Sequence, residues 1–241
     1  MCTVSFVRAN NAVIITSNRD EHIGRENATA PAIQILKDKK TIFPKDARAG
    51  GTWFAAADNG TVAVLLNGAF KKHIAKPPYR KSRGLILLAI IESDQPLSFF
   101  SELNLDNIEP FTVVLYQPGL LYELRWDGTK KYQRQPDISG NHIWSSSTLY
   151  SHEIIEQREN LFQQFIQATA AITSERIQKF HAGNNGDDEN GFIINRQTGM
   201  KTFSITQAII NNNAVNFLHT DLLQQKQYIQ TMAIHQSAIP A

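Results

Sequence analysis

Short apolar strand segments recur along this chain and leave few folds open to it. The segments VAVLL (62–66) and FTVVLY (111–116) are apolar at nearly every position instead of alternating with polar residues. A strand with this pattern has both of its faces covered. Helical segments interrupt pairs of strands and do not alternate with single strands, which favours antiparallel hairpins. We therefore predict an α+β fold, a four-layer α/β/β/α sandwich of antiparallel sheets, built as one domain over residues 1–241.

Turn sequences and hydrophobic periodicity place the individual elements. Asn10-Asn11 and Pro118-Gly119 are suited to tight turns between neighbouring strands. Apolar residues at helical spacing mark the helices, and Ser151 is a suitable N-cap for the longest one. The predicted strands are 3–9, 12–18, 52–57, 61–67, 111–117, 120–126, 129–134, 142–146, 202–210, 214–219 and 224–230, and the predicted helices are 82–93, 96–103, 152–171 and 174–181.

Composition excludes several classes of protein. A formal net charge of +2 is too small to indicate nucleic-acid binding. The single cysteine permits no internal disulfide and no cysteine-based metal cluster. The longest apolar run, 85–91, is too short to cross a bilayer, and the first residues do not resemble a signal peptide. We therefore expect a cytoplasmic protein without a transmembrane segment.

The single cysteine, Cys2, becomes the first residue of the chain if Met1 is removed. A two-residue turn at 10–11 pairs Phe6 with Ile15, and the same register pairs Cys2 with Arg19. Directly opposed residues have Cβ atoms about 4.5–5.5 Å apart, and a cation at that distance favours the thiolate. This register predicts a nucleophilic Cys2, and the alternative interpretation is a small buried hydrophobe.

Asp20 follows Arg19 and is predicted to lie opposite the chain terminus. Its carboxylate is then placed to orient the α-ammonium group of Cys2, whose ordinary pKa of about 7.7–8.0 suits an acid/base near neutral pH. In this hypothesis one residue supplies both the nucleophile and the base.

Four short motifs together resemble the NRDE family, also called the transport-and-Golgi-organisation family. They are the MC start, NRDE at 18–21, GGTW at 50–53 and LNG at 66–68. The resemblance covers nearly the whole chain and is strongest over its first 85 residues. It implies an N-terminal-nucleophile (Ntn) hydrolase-like fold, in which bile-salt hydrolases and penicillin V acylases have the nearest N-terminal arrangement.

The resemblance also implies roles for individual residues. It assigns Cys2 as nucleophile, Arg19 and Asp20 as its support, and Asn67 as the oxyanion donor, with Asn18 as further support. Independently of the resemblance, a two-residue turn at 59–60 would place Asn67 opposite Thr52, at the edge of the same pocket.

The second half of the chain departs from the family pattern. Where the family usually has Ser-Asn-Ser, this chain has Ser146 in place of the central amide. Loss of one oxyanion donor typically lowers the rate by about 100- to 1,000-fold. Lys201 stands where the family commonly has arginine, so the charge remains but the planar fork is lost. These departures weaken the expectation of hydrolysis.

Residues 71–84 (KKHIAKPPYRKSRG) contain six lysines or arginines and no acid. One interpretation is a solvated loop. The other is a collar for the anionic end of a ligand whose apolar part enters a pocket. A nucleic-acid surface is not expected, because Tyr79 is the only aromatic residue of the stretch. For the second interpretation the predicted ligand-binding residues are Arg19, Trp53, His73, Arg80 and Arg83.

The seven histidines show no close pair at metal-ligand spacing, so we predict no metal site. A haem needs only one axial side chain, and His73 in the basic stretch is the best placed histidine.

Two functions of different class follow from these residues. In the first, the chain binds and mobilises an amphipathic anionic small ligand. What is known of the family implies haem trafficking, with acyl or lipid ligands as alternatives, and no required cofactor. In the second, Cys2 is the nucleophile of an amidohydrolase that cleaves non-peptide C–N amide bonds. The departures at Ser146 and Lys201 favour the first.

Overall fold

The computed structural model describes residues 3–9 and 11–234. Within them the chain forms two antiparallel sheets and four helices. The strands are β1 (Thr3–Ala9), β2 (Ala12–His22), β3 (Thr29–Leu36), β4 (Lys39–Lys45), β5 (Phe54–Ala57), β6 (Val62–Asn67), β7 (Phe111–Gln117), β8 (Leu120–Trp126), β9 (Lys131–Arg134), β10 (His142–Ser145), β11 (Met200–Ile210), β12 (Ala214–Asp221) and β13 (Lys226–Ala233). The helices are α1 (Arg83–Glu92), α2 (Pro96–Glu102), α3 (His152–Ala168) and α4 (Ser174–His181).

The two sheets have different strand orders. One sheet runs β10-β1-β2-β11-β12-β13, and the other runs in sequence order from β3 to β9. Helix α1 packs on β5 and β6, whereas α4 packs on β2 and β11, and α3 packs on β10. The sheets contact each other through β1 with β6 and β5 with β12. The layers therefore follow the order α/β/β/α, which confirms the predicted sandwich.

Apolar side chains explain this layering. The larger core cluster fills the space between the sheets and beneath α1, and it takes in the consecutive apolar residues of β6 and β7. A smaller cluster, which includes Phe162 of α3 and Ile177 of α4, lies between the first sheet and these two helices. Strands with both faces covered need no polar alternation. In the described part of the chain, no helix is long and apolar enough to cross a membrane.

Strands β3 and β4 were not predicted. Pro31 and Pro44 interrupt their hydrophobic pattern, and β3 is an edge strand with most of its side chains exposed. Proline is tolerated at edges and irregular positions, where a missing N–H breaks no ladder bond. The register shift between Thr29 and Ala32 is such an irregularity. The pattern at 29–45 therefore carried too little alternation to indicate a hairpin.

The predicted register of the first hairpin is confirmed over the described residues. Ala9 pairs with Ala12, Phe6 with Ile15, and Thr3 with Asn18. Cys2 and Asn10 lie outside the described part of the chain, so the pairing of Cys2 with Arg19 stays a prediction.

The predicted register of the second hairpin is wrong by one residue. Ala56 pairs with Val62, because the loop has three residues, 58–60, and not two. Gly60 closes this loop with φ +80°, a left-handed conformation that glycine adopts without strain. Asn67 therefore does not lie opposite Thr52.

Asn18 joins the first sheet to helix α4. Its side-chain amide donates to the carbonyls of His181 and Phe192, at 2.9 Å each. Its Oδ1 accepts a short hydrogen bond from Nδ1 of His181, so Nε2 of that imidazole accepts from Ser5 Oγ at 2.7 Å. Complete burial, with a smaller contribution from the charge of Arg158, lowers the pKa of His181 to about 3. The imidazole is therefore neutral in the folded protein.

This neutral imidazole makes stability depend on pH. His181 has its folded pKa near 3 and an ordinary value of 6.5, so below pH 6.5 the unfolded chain binds a proton that the folded chain does not. Stability is full above pH 6.5 and falls toward pH 3, at about 1.4 kcal/mol per pH unit for each such group. Burial also lowers the pKa of His219, to about 4, so this imidazole is a second group that makes stability fall as the pH is lowered.

We expect His181→Gln to reduce the slope of unfolding free energy against pH by about 1.4 kcal/mol per unit between pH 6 and 5. Urea unfolding at several pH values measures it, because the slope is independent of any constant loss of stability. His152→Gln is the control, since His152 is exposed. An unchanged slope in His181→Gln would contradict the assignment of a neutral imidazole.

Candidate functional site

A cavity of about 840 Å³ opens at one end of the sandwich. Its walls come from the end of β2, the loop between β4 and β5, the end of β6 and the segment that leads into α1. Five cationic side chains and three carboxylates line it. The cations are Arg19, Arg25, Arg48, Lys81 and Arg83, and the carboxylates are Glu21, Asp46 and Glu109.

The alternation of β2 decides which residues of the NRDE motif reach this cavity. Successive side chains of a strand point to opposite faces. Asn18 and Asp20 face the helical layer, where Asp20 accepts from Thr202 Oγ1 at 2.6 Å and from the Tyr150 hydroxyl at 3.2 Å. Arg19 and Glu21 lie on the other face and line the cavity. Two residues of the motif therefore line the cavity, and the other two form hydrogen bonds on the helical side of the sheet.

Arg19 is a buried cation with several compensating contacts. Its side chain is 3% exposed, and its Nη2 lies 3.0 Å from Asp46 Oδ2. The guanidinium carbon lies 4.6 Å from the centre of the Trp53 ring, a cation–π geometry. Burial lowers the pKa of Arg19, while the charges of Glu21 and Asp46 oppose that shift. Arginine remains protonated at neutral pH despite such shifts, so the cavity keeps a fixed positive charge.

Asp46 is the anion on which this end of the cavity depends. It accepts hydrogen bonds from Arg19 at 3.0 Å, from Arg25 at 2.8 and 3.3 Å, and from the Ala49 N–H at 2.8 Å. Burial alone would raise the pKa of Asp46, but the bonds from Ala49 and Arg25 outweigh it and hold the pKa below its ordinary value. Asp46 is therefore ionised at neutral pH.

A second ion pair forms the opposite wall. Arg83 Nη2 lies 3.0 Å from Glu109 Oε2, and Arg83 Nη1 donates to the carbonyl of Pro110 at 3.2 Å. Burial lowers the pKa of Arg83, and Glu109 opposes the shift. The other oxygen of Glu109 lies 3.1 Å from Nε2 of His73. His73 supports this wall from behind, since it is not among the residues that line the cavity.

Two glycines bring the walls together. A Cβ added at Gly51 would lie 2.4 Å from the carbonyl carbon of Gly84, and one added at Gly84 would lie 2.8 Å from the Thr52 oxygen. Such distances are too short for any side chain, so the backbones touch only because both residues are glycine. The Thr52 N–H donates to the Gly84 carbonyl at 3.3 Å. The GGTW motif is therefore packed directly against the first turn of α1.

Asn67 lines the cavity at the end of β6, and Ser146 fixes its backbone. Ser146 Oγ donates to the Asn67 carbonyl at 2.8 Å and does not line the cavity. Gly68 follows with φ +78°, and a Cβ there would lie 2.6 Å from Ser147 Oγ. Ser146 thus positions the loop after β6 and contributes no donor to the cavity.

The remaining predicted site residues fall into separate groups. Trp53 lines the cavity, and its Nε1–H has no hydrogen-bond partner within the described part of the chain. Arg80 lies outside the lining, where it donates to the carbonyls of Asn104 and Asp106. Lys201 pairs with Glu21 across strands β11 and β2 but does not line the cavity. Cys2, the predicted nucleophile, lies outside the described residues.

Of the eight charged residues that line the cavity, the predicted site residues included only Arg19 and Arg83. Asp46, Arg25 and Arg48 lie in or beside the β3–β4 hairpin, which was not predicted. An acid that could pair with Arg19 was the signal available, but the sequence offers several candidate acids. Among residues 3–9 and 11–234, no group of three or more histidine, cysteine, aspartate or glutamate side chains is placed to bind a metal ion.

Comparison with known proteins gives one family and two solved structures to report. The sequence model of the family described as Transport and Golgi organisation 2 matches residues 1–230. A search of curated proteins by sequence finds no match. The N-acylethanolamine-hydrolyzing acid amidase ortholog of Caenorhabditis elegans superposes with a TM-score of 0.60 at 9% identity, over 86% of this chain and 92% of that chain. A mutant of conjugated bile acid hydrolase from Clostridium perfringens gives a TM-score of 0.49 at 10% identity, over 96% of each chain.

The likeness to the Caenorhabditis elegans protein concerns the fold alone, because the identity is only 9%. It confirms the Ntn-hydrolase-like fold that the motifs implied. No residue role passes from that protein to this chain on this ground, since one fold supports many functions.

Asp46→Asn tests the ion pairs of the cavity. We expect it to lower the free energy of unfolding by about 3 kcal/mol, because it leaves the buried Arg19 without its nearest anion. Urea denaturation measures this. Asp94→Asn is the matched control, since Asp94 pairs with Lys39 while 85% exposed, and it should change stability little. Equal effects of the two substitutions would show that the buried Arg19–Asp46 pair contributes no more to stability than an exposed pair.

Proposed function

Because the chain belongs to the Transport and Golgi organisation 2 family, we propose that it binds an amphipathic anionic small ligand in the cavity beside Arg19 and mobilises it. The observation that carries the proposal is the excess of cations over carboxylates around a cavity with an aromatic wall. The finer proposal is that the ligand is haem and that the protein acts in haem trafficking, with acyl or lipid ligands as alternatives. No further cofactor is required.

Two of the cavity cations support an anionic ligand directly. Within the described residues, Arg48 and Lys81 form no ion pair or side-chain hydrogen bond, although both line the cavity. Arg19, Arg25 and Arg83 are already paired with carboxylates. A ligand carboxylate or phosphate that meets the two unpaired cations forms charge-assisted bonds without displacing an internal partner.

The apolar part of the ligand has its own surface. Trp53, Leu65, Pro77 and Tyr79 line the same cavity as the cations. The buried Trp53 Nε1–H adds a donor that lacks a partner in the described part of the chain, and a buried donor of this kind gains from a ligand acceptor. Ligand sites commonly combine apolar walls with a few polar groups in volumes of about 300–1,000 Å³.

Haem combines these requirements, since a flat apolar ring carries two carboxylates. None of the described histidines lines the cavity, so contacts of the carboxylates with the cations and of the ring with the apolar wall would hold it. Binding of this kind is weaker than axial ligation by histidine, which suits cargo that must be released.

Charge reversal tests the proposal. Haem added to the full chain should shift its Soret band and quench tryptophan fluorescence at micromolar concentration. Arg48→Glu/Lys81→Glu should weaken this binding by about 100-fold, because two charge-assisted contacts become repulsive. Lys71→Glu/Lys72→Glu carries the same change of charge in exposed residues outside the cavity lining and is the control.

Equal weakening by both pairs would assign haem binding to general charge instead of the cavity. Acyl-CoA and a long-chain fatty acid are tested in the same way by competition. If haem, acyl-CoA and the fatty acid all fail to bind at micromolar concentration, the proposal is wrong.

A second candidate is amide hydrolysis by Cys2. The observation that favours it is that Arg19 and Asn67, both implied by the family resemblance, line one cavity. In this reaction the Cys2 thiolate attacks the amide carbonyl, and the amine leaves with a proton from the α-ammonium group. Water then hydrolyses the thioester, releases the acid and restores the thiol. The bond from Ser146 Oγ to the Asn67 backbone weighs against it, because that hydroxyl is no oxyanion donor.

Cys2→Ala separates the two candidates. A hydrolase should lose all turnover of an N-acylethanolamine, because the nucleophile is gone, whereas a carrier should keep its haem affinity within about twofold. Liquid chromatography of the released fatty acid measures turnover. Intact-mass spectrometry of protein from its native host adds an independent check, since a retained Met1 rules out a free α-amino group on Cys2.

A further inference from the structure

The segment between β6 and α1 contains an exposed loop, residues 70–81 (FKKHIAKPPYRK), which we call the basic loop. Its five lysines and arginines are all exposed, and it contains no acidic residue. Two large apolar side chains share the loop with them. Ile74 is 85% exposed and Phe70 is 55% exposed. Ile74 is thus left in water by the fold although it is among the most apolar residues of the chain.

Phe70 connects the basic loop to the neighbouring sheet edge. Its ring packs edge-on against Tyr132 of β9 with centroids 4.9 Å apart, and the Arg125 guanidinium lies 4.7 Å from its centre. Tyr132 is itself 41% exposed, so the aromatic surface continues from the loop onto β9. The base of the loop is therefore anchored, while Ile74 extends beyond it.

We propose that the basic loop docks on an anionic lipid bilayer. Ile74 and Phe70 enter the interface between headgroups and acyl chains, and the exposed lysines contact lipid phosphates and carboxylates. Exposed apolar side chains among cations are the pattern of segments that lie on a membrane surface. Each lysine near an anionic surface adds about 1 kcal/mol of attraction. The interaction does not depend on which ligand the cavity binds.

Charge and apolarity together favour a bilayer over a nucleic acid. A nucleic acid uses aromatic rings on which bases stack. Phe70 already packs against Tyr132, and the hydroxyl of Tyr79 accepts from the Lys76 N–H at 2.8 Å, so neither ring is presented as an open platform. The Ile74 side chain has no ring on which a nucleobase can stack, whereas the boundary between headgroups and acyl chains can bury it.

The loop also forms part of the cavity wall. Ala75, Pro77, Tyr79 and Lys81 line the cavity, whereas Lys71, Lys72, Ile74 and Lys76 do not. Docking through the second group would set the rim of the cavity against the bilayer. An amphipathic ligand could then pass between the membrane and the cavity without crossing bulk water.

Flotation with vesicles tests the proposal. The full chain should float with vesicles of 70% phosphatidylcholine and 30% phosphatidylserine, but not with pure phosphatidylcholine, and 0.5 M salt should release it. Ile74→Ser should weaken the binding about tenfold, because one buried aliphatic side chain is lost. Lys71→Gln/Lys72→Gln/Lys76→Gln should weaken it by about 100-fold.

Matched substitutions elsewhere serve as controls. Ile229→Ser removes an isoleucine that is 70% exposed on β13. Lys37→Gln/Lys130→Gln/Lys226→Gln removes three exposed lysines outside the loop. These controls should float like the unchanged chain. All the loop variants should keep their haem titration in solution, because none of the substituted residues lines the cavity. A failure of vesicle binding is thereby distinguished from a failure of ligand binding.

Several results would overturn the proposal. One is absence of flotation with the anionic vesicles, and another is equal flotation with neutral vesicles. A third is equal weakening by the control and loop variants. Full displacement by millimolar soluble glycerophosphoserine would indicate a site for a headgroup and not for a bilayer. Tighter binding to a DNA or RNA oligonucleotide than to vesicles would assign the loop to a nucleic acid.

Discussion

The burial of Arg19 is the constraint on which the cavity depends. A charge taken out of water must be compensated nearby. Glu21 of the same strand contributes to this, and two further groups come from the connection between β4 and β5 of the opposite sheet. Asp46 follows β4 and Trp53 precedes β5, whereas Arg19 belongs to β2 of the other sheet. The ion pair and the cation–π contact therefore cross the sandwich at one end. They hold the β4–β5 loop over the core and leave a charged cavity beside it.

The glycines of the GGTW motif complete this arrangement from the other side. Trp53 reaches Arg19 only if the chain before it lies against the start of α1, and that approach requires Gly51 and Gly84 to lack side chains. The same contact places Arg83, the first residue of α1, in the cavity wall. The positions of Trp53 and Arg83, which are distant in sequence, thus depend on the same contact between two glycine backbones. A substitution at either glycine would move both walls.

The sequence predicted those features that local rules determine. The first hairpin register followed from a two-residue turn, and continuous apolar runs indicated the covered strands of the sandwich. The second register failed because a three-residue and a two-residue loop differ by a single residue, and Gly60 permits both. Asp46 was missed because its partner is 27 residues away on another sheet. Such a contact depends on how the sheets pack, which no local pattern records.

The location of the predicted site residues bears on the choice between carrier and enzyme. Arg19, Trp53, Asn67 and Arg83 line the cavity, whereas Asn18, Asp20 and Ser146 form bonds within the scaffold. The proposed binding of an amphipathic anion uses the aromatic face of Trp53 together with Arg48 and Lys81, because Arg19 and Arg83 are already paired with carboxylates. Hydrolysis needs in addition a nucleophile, a base and a second oxyanion donor, and the Ser146 hydroxyl is occupied by a backbone carbonyl. The proposed binding therefore uses only described residues, whereas the proposed hydrolysis depends on Cys2, which lies outside them.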